Sequence, residues 1–259
     1  MTYRIGQIVP SSNVTMETEI PALLRARETV HPERFTFHSS RMRMTEVTPE
    51  QLAAMDCESD RCAVQLSDAR VDVLGYACLV AIMAAGPGYH RGAQQRLHGR
   101  TVDNGAPAPV VTSAGALIDG LHVLRARRIV LIAPYLPALT RTVVDYIEAE
   151  DLTVLDYRAL GVSGNLDVAA LDQRGLIDHA REIDRPDADA VVISACVQMP
   201  SLDVLDEVQQ LLGKPVVSAA AATAHRMLRE LGLRAEAPLG GELLGGRYAL
   251  ADPPLAVLS

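Results

Sequence analysis

The feature that most constrains this chain is an internal duplication: three matched segments occur in the same order in each half. An apolar run ends at a proline in Ile5-Gly-Gln-Ile-Val-Pro10 and again in Ile129-Val-Leu-Ile-Ala-Pro134. A second run ends in Ala-Cys, as Val71-Asp-Val-Leu-Gly-Tyr-Ala-Cys78 and as Asp189-Ala-Val-Val-Ile-Ser-Ala-Cys196. The third pair is Pro109-Val-Val-Thr-Ser-Ala114 and Pro215-Val-Val-Ser-Ala-Ala220. Repetition of short β-branched runs separated by helical patterns marks a duplicated α/β unit with parallel sheets under helices. Two lobes related by a pseudo-twofold axis would carry Cys78 and Cys196 on opposite walls of one cleft. The expected division is 1–115 for the first lobe and 116–224 for the second, with 225–259 packing back on the first.

Bulk properties exclude several roles. With 259 residues, 49% of them hydrophobic and 22% charged, the chain can bury a substantial core. A net charge of −8 leaves no basic stripe to neutralise phosphates, so nucleic acid is not an expected partner. No apolar run approaches the roughly 20 residues that span a bilayer, and no secretory signal is evident, so no membrane partner is expected and the expected setting is cytoplasmic. Thiols stay reduced there, which favours free cysteines over disulfides.

Local signals place several elements. The strand at Ile5–Val9 leads into the loop Pro10-Ser-Ser-Asn13 and a helix through Leu24. Thr48-Pro49-Glu50-Gln51 has a threonine N-cap, proline at the first helical position and glutamine at N3, and starts a helix reaching Asp68. A helix is expected over 168–183, and another after Ser201 with Leu202, Leu205, Val208 and Leu212 facing the core. Cys78 to Pro109 is 31 residues against 19 from Cys196 to Pro215. The surplus falls in 86–105, beginning Gly86-Pro-Gly-Tyr-His-Arg-Gly92, which reads as a surface loop and a candidate lid. Gly240-Gly-Glu-Leu-Leu-Gly-Gly246 follows no strand and reads as a turn-rich connection. The tail from Arg247, with Asp252-Pro-Pro254, reads as irregular.

Ligands of open α/β sheets bind beyond the carboxyl ends of the strands, where both Ala-Cys pairs stand. The N–H groups of Leu79-Val80 and Val197-Gln198 would be free there to bind carboxylate oxygens and to lower the thiol pKa from about 8.5. Cys57 and Cys62 lie about 140° apart around one helix and read as structural. Seven histidines show no metal-ligand spacing, so no metal and no cofactor are expected.

The segments Ile8-Val-Pro-Ser-Ser-Asn-Val-Thr-Met-Glu17, Gly75-Tyr-Ala-Cys-Leu-Val80, Pro134-Tyr-Leu-Pro-Ala-Leu-Thr140, Gly164-Asn165 and Ser194-Ala-Cys-Val-Gln-Met-Pro200 occur in order over nearly the whole chain. With them the chain resembles the Asp/Glu racemase superfamily, and within it the maleate cis–trans isomerases. The resemblance implies two α/β lobes, a homodimer, an active site between the lobes and cofactor-free conversion of maleate, a small dicarboxylate, to fumarate. It puts functional residues at Asn13, Cys78, Tyr135, Asn165 and Cys196, with Cys78 as nucleophile and Cys196 as acid–base partner. Ser11, Ser12 and Thr140 are second-rank candidates. Amino-acid racemases of the superfamily usually follow their cysteines with Asn-Thr and Thr-Glu, whereas Leu79-Val80 and Val197-Gln198 follow here, which counts against an α-ammonium substrate. Arylmalonate-type decarboxylases need only the second cysteine. A non-catalytic acid-binding module is the alternative outside enzymes.

Overall fold

Runs such as Ile129-Val-Leu-Ile-Ala133 are buried on both faces, the mark of strands covered by helices on either side. The computed structural model describes residues 1–248. The first repeat runs β1 (Thr2–Pro10), α1 (Met16–Arg27), β2 (Arg34–Met42), α2 (Pro49–Asp68), β3 (Val73–Tyr76), α3 (Leu79–Ala84), α4 (Tyr89–Asp103), β4 (Val110–Thr112) and α5 (Ser113–Val123). The second runs β5 (Arg128–Ala133), α6 (Pro137–Glu148), β6 (Thr153–Ala159), α7 (Asn165–Ala169), α8 (Gly175–Ile183), β7 (Ala190–Ser194), α9 (Leu202–Leu212), β8 (Val216–Ser218) and α10 (Ala219–Glu230), followed by α11 (Gly241–Leu244).

Each repeat builds a four-stranded parallel sheet in the same order, β2-β1-β3-β4 and β6-β5-β7-β8. The duplication extends to single hydrogen bonds. Ala77 N donates to Ile8 O at 2.9 Å and Ala195 N to Ile132 O at 2.9 Å, each just before a cysteine. Leu74 N donates to Pro109 O as Val191 N does to Pro215 O. Thr112 Oγ1 caps α5 through Gly115 N and Ser218 Oγ caps α10 through Ala221 N, both at 3.1 Å.

The last segments tie the halves together. α10 follows the second sheet but lies against α1, β3 and β4 of the first. Gly75 permits this close approach, because a Cβ there would stand 2.1 Å from Met227 Cε. The buried Arg27 of α1 donates to Arg234 O and Glu236 O, both at 2.6 Å. Gly241 N and Glu242 N return to Asp206 and Gln209 on α9.

Three expectations are revised. The stretch 86–105 is not a loop: a turn through Gly86 and Gly88, both with positive φ, enters α4. That helix is fastened to α2 by Arg96 on Asp56 and Asp60, Arg100 on Asp60, and Asn104 on Ser67 and Asp68. It also reaches α6 through His90 Nδ1, 2.5 Å from Tyr146 Oη, and the turn after α6 through Arg91 on both oxygens of Glu150. It is a strut between the halves. The helix expected over 168–183 is broken after Ala169, because Asp172 accepts from Arg174 N and Gln173 turns away to pair with Asp203. The helix after Pro10-Ser-Ser-Asn13 starts at Met16 and continues past Leu24 to Arg27. The Pro49 helix ends at Asp68 as expected, with Gln51 N bonded to Thr48 Oγ1. Leu202, Leu205 and Val208 are buried and Leu212 packs partly against the core. The Gly240–Gly246 stretch holds the one short turn α11, and Asp252-Pro-Pro254 lies outside the described residues.

Candidate active site

One small pocket is lined by Pro10, Asn13, Met44, Val47, Cys78, Leu79, Val80, Tyr135, Asn165, Cys196, Val197 and Gln198. The nine first-rank residues expected from the sequence are among these twelve; the second-rank Ser11, Ser12 and Thr140 are not. Cys78 stands two residues beyond β3 and Cys196 two beyond β7, the matching inner strands of the two sheets, so the repeat itself brings the two thiols into one cavity.

Cys78 has φ 126° and ψ 75°, a conformation a non-glycine residue adopts only under strain. The turn points its side chain off the strand end, with α3 starting at the next residue. Leu79 and Val80 occupy the first turn of α3, whose N–H groups have no acceptor within the helix. Cys196 sits in a tight loop where Gln198 N donates to its Sγ at 3.3 Å and Ser194 Oγ donates to Cys196 O and Met199 O.

The electrostatics reverse an expectation. Local N–H groups do favour the thiolates, but burial outweighs them: Cys78 is pushed up to about 12, with Cys196 and Asp56 adding to the rise. Cys196 is also raised by burial, with Glu19 adding to it, against hydrogen bonds from Tyr135, Gln198 and Met199. Both thiols are therefore protonated at neutral pH in the closed site. Tyr135 is raised well above 10 by burial beside the two cysteines, and its hydroxyl donates to Ala195 O at 3.3 Å.

The polar residues divide into two groups. Asn13 Oδ1 accepts from Met16 N at 3.0 Å, so the residue braces α1 and leaves its amide NH2 toward the pocket. Asn165 Nδ2 donates to Ser12 Oγ at 2.8 Å. The Gln198 side chain is fully engaged: Oε1 accepts from Val14 N and Thr15 N, and Nε2 donates to Ser12 O and Asn165 O. It braces the pocket wall and has no hydrogen-bonding capacity left for a ligand. Ser11 Oγ pairs with the Met44 backbone and Thr140 Oγ1 donates to Tyr135 O, so both also act as braces. Cys57 is exposed and Cys62 buried, both on α2 and away from the pocket lining. Among the described residues, no group of three or more His, Cys, Asp or Glu is placed to hold a metal.

Sequence reasoning missed Pro10 at the end of β1, and Met44 and Val47, which close the cavity from the β2–α2 connection. Val47 N donates to Ser163 O at 3.4 Å, and Glu46 bridges Gly164, so this connection reaches across to the other half. The cavity holds about 10 Å³, room for roughly one water-sized sphere. As it stands this is less room than a four-carbon diacid fills, and a larger hollow beyond Val47 and Tyr135 adjoins it.

A family model described as arylmalonate decarboxylase matches residues 5–244. The maleate isomerase of Pseudomonas putida KT2440 is 59% identical over 246 residues, covering 95% of this chain and 98% of that protein. The crystal structure of a cysteine-to-alanine variant of the maleate isomerase Iso from Pseudomonas putida S16, with maleate, superposes with a TM-score of 0.95 at 58% identity, covering 95% and 99%. The maleate cis–trans isomerase of Nocardia farcinica, as a cysteine-to-serine variant with a covalently bound succinylcysteine intermediate, superposes with a TM-score of 0.91 at 45% identity, covering 94% and 98%. Two parallel sheets of equal order, each with a cysteine just beyond a matching strand at one shared pocket, define an enzyme of the Asp/Glu racemase-like fold. Within that class the chain belongs to the maleate isomerase family.

Proposed function

We propose that the chain converts maleate to fumarate with no cofactor, using Cys78 as nucleophile and Cys196 as acid–base partner. The observation that carries this reading is the convergence of both thiols with Asn13, Tyr135 and Asn165 on one small pocket. The succinylcysteine reported for the Nocardia farcinica relative supports covalent addition here.

A C=C bond does not rotate until its π bond is broken. The Cys78 thiolate supplies the pair for a C2–S bond, the π pair moves to C3, and the Cys196 thiol delivers its proton there. Cys196 is left as thiolate. After rotation about the now single C2–C3 bond, Cys196 takes the C3 proton back, the pair re-forms C=C, and Cys78 leaves with its electrons. The cycle closes with one thiolate and one thiol, so only the first proton must be lost to solvent. Asn13, the Tyr135 hydroxyl and the N–H groups of Leu79, Val80 and Val197 would hold the carboxylates, with Asn165 orienting the adduct. The same reading takes the protein as a homodimer in a cytoplasmic, thiol-reducing setting; sedimentation tests the first part.

Proton NMR of the purified protein with maleate alone tests the reaction. Fumarate is expected from the wild type and from neither Cys78→Ala nor Cys196→Ala. Folded, reduced protein that makes no fumarate would sink the assignment and redirect the assay to arylmalonates and amino acids.

A further inference from the structure

The loop that carries Cys196 is held from the opposite half of the molecule. Helix α9 begins six residues after the thiol, and Ser201, a residue type that normally caps its own helix, makes no side-chain cap. Glu19 of α1 does so instead: Oε1 accepts from Ser201 N at 2.6 Å and from Leu202 N at 2.7 Å. The next N–H, of Asp203, is taken by Gln173 Oε1. Burying a carboxylate is more costly than letting a serine cap itself, and Glu19 is only 6% exposed. What the buried acid adds is a tie across the two halves. Gln198, midway along the same loop, grips the Ser12–Thr15 turn that precedes α1, so the loop is fastened twice to the element that presents Asn13.

We propose that Glu19 is a positioning residue for Cys196, capping α9 from the opposite lobe and thereby setting where that thiol stands in the pocket. The inference rests on the reading of Cys196 as a working thiol. Asp203 on α9 is the charged group whose field acts on Glu19, and Cys196 is the titratable group on which the Glu19 field acts. Burial lifts Glu19 to about 7, against the two N–H groups, so its charge changes near neutrality. Protonation removes a negative charge from the neighbourhood of the thiol.

The test is alkylation of the full-length protein by iodoacetamide across pH, read at Cys196 by peptide mapping, with buried Cys62 as internal control. Glu19→Gln keeps an acceptor for both N–H groups and removes the charge. The Cys196 midpoint should move toward acid by about half a unit, giving about threefold more thiolate below it. Glu19→Ala removes the acceptor too, and should raise Cys196 alkylation about tenfold at every pH by loosening the loop, with Cys62 unchanged. Glu19→Asp keeps charge but withdraws the acceptor, and should loosen the loop without the acid shift; it substitutes for the alanine variant if that fails to fold. Cys196 alkylation in Glu19→Ala and Glu19→Asp that superimposes on wild type overturns the proposal, whatever happens to the melting temperature. Alkylation needs no turnover, so an enzyme inert to maleate would sink the proposed reaction and leave this test intact.

Discussion

Cys78 combines a strained backbone with a thiol that burial keeps protonated. The strain has a direct consequence, because glycine adopts φ 126° freely and alanine does not. Cys78→Gly should therefore be more stable than Cys78→Ala by about 1 kcal/mol in urea unfolding, although both lose the nucleophile. Because the pair must lose one proton before its first turnover, kcat/KM for maleate should climb with pH above neutrality, by up to about tenfold per unit. A profile flat from neutral into the alkaline range would contradict attack by thiolate. His225 on α10 is 1% exposed, and neither ring nitrogen has a hydrogen-bond partner among the described residues. Burial lowers it from 6.5 to about 4, so the unfolded chain binds a proton across that window and the folded one does not. Stability from this group is present above pH 6.5 and falls by about 3 kcal/mol as pH drops toward 4. Glu19 has the opposite sign: raised from 4.5 to about 7, it binds a proton first in the folded state and adds stability as pH falls. The two oppose each other. From pH 7 to 5 the two nearly cancel; His225→Leu should leave a gain in unfolding free energy on acidification, and Glu19→Gln should leave a loss.

At the scale of elements, the start of α2 doubles as the support of the pocket wall. Thr48 caps Gln51 N, but Gln51 does not complete a reciprocal box with Thr48; its Oε1 accepts from Thr45 N and Glu46 N. Those two residues lead into Val47, which closes the cavity. Gln51→Ala should leave the helix in place and free this connection, raising the alkylation rate of Cys78 several-fold over wild type. An unchanged rate would mean that the wall opens elsewhere. The edge strands β2 and β6 escaped the sequence reading for a physical reason. Both mix polar and charged residues among the apolar ones and bury few of them, so neither shows the continuous apolar run that reveals β1, β3, β5 and β7. The strut α4 escaped for another: its buried face is the short, half-polar stripe His90, Ala93, Leu97 and Thr101, and the Gly86 and Gly88 turn ahead of it reads as loop.

At the scale of the molecule, the halves share supports rather than merely touching. α10 lies on the first sheet, α4 reaches α6, and the Cys196 loop is bound to α1 and the turn before it. Removing either half strips buried apolar surface and capped N–H groups from the other. Thermal unfolding should therefore be one transition, with Cys78 and Cys196 becoming reactive together; two separated steps would show independently folding lobes.

The linear order of residues by itself determined the duplication, because equal patterns of apolar runs form equal sheets, and it determined that a cysteine follows the matching strand of each. The candidacy of Asn13, Tyr135 and Asn165 came from the resemblance to the maleate cis–trans isomerases that the order of motifs carries, and not from the residues taken singly. Tertiary structure alone decided what those groups can do. The protonation of the thiols follows from desolvation, which no local pattern of N–H donors reveals. The engagement of Gln198 and the capping of α9 by Glu19 follow from contacts between residues more than 180 positions apart. Local chemistry writes the strands and the turns after them; the dielectric around a side chain, and the partner that uses its hydrogen bonds, exist only once the two halves have closed on each other.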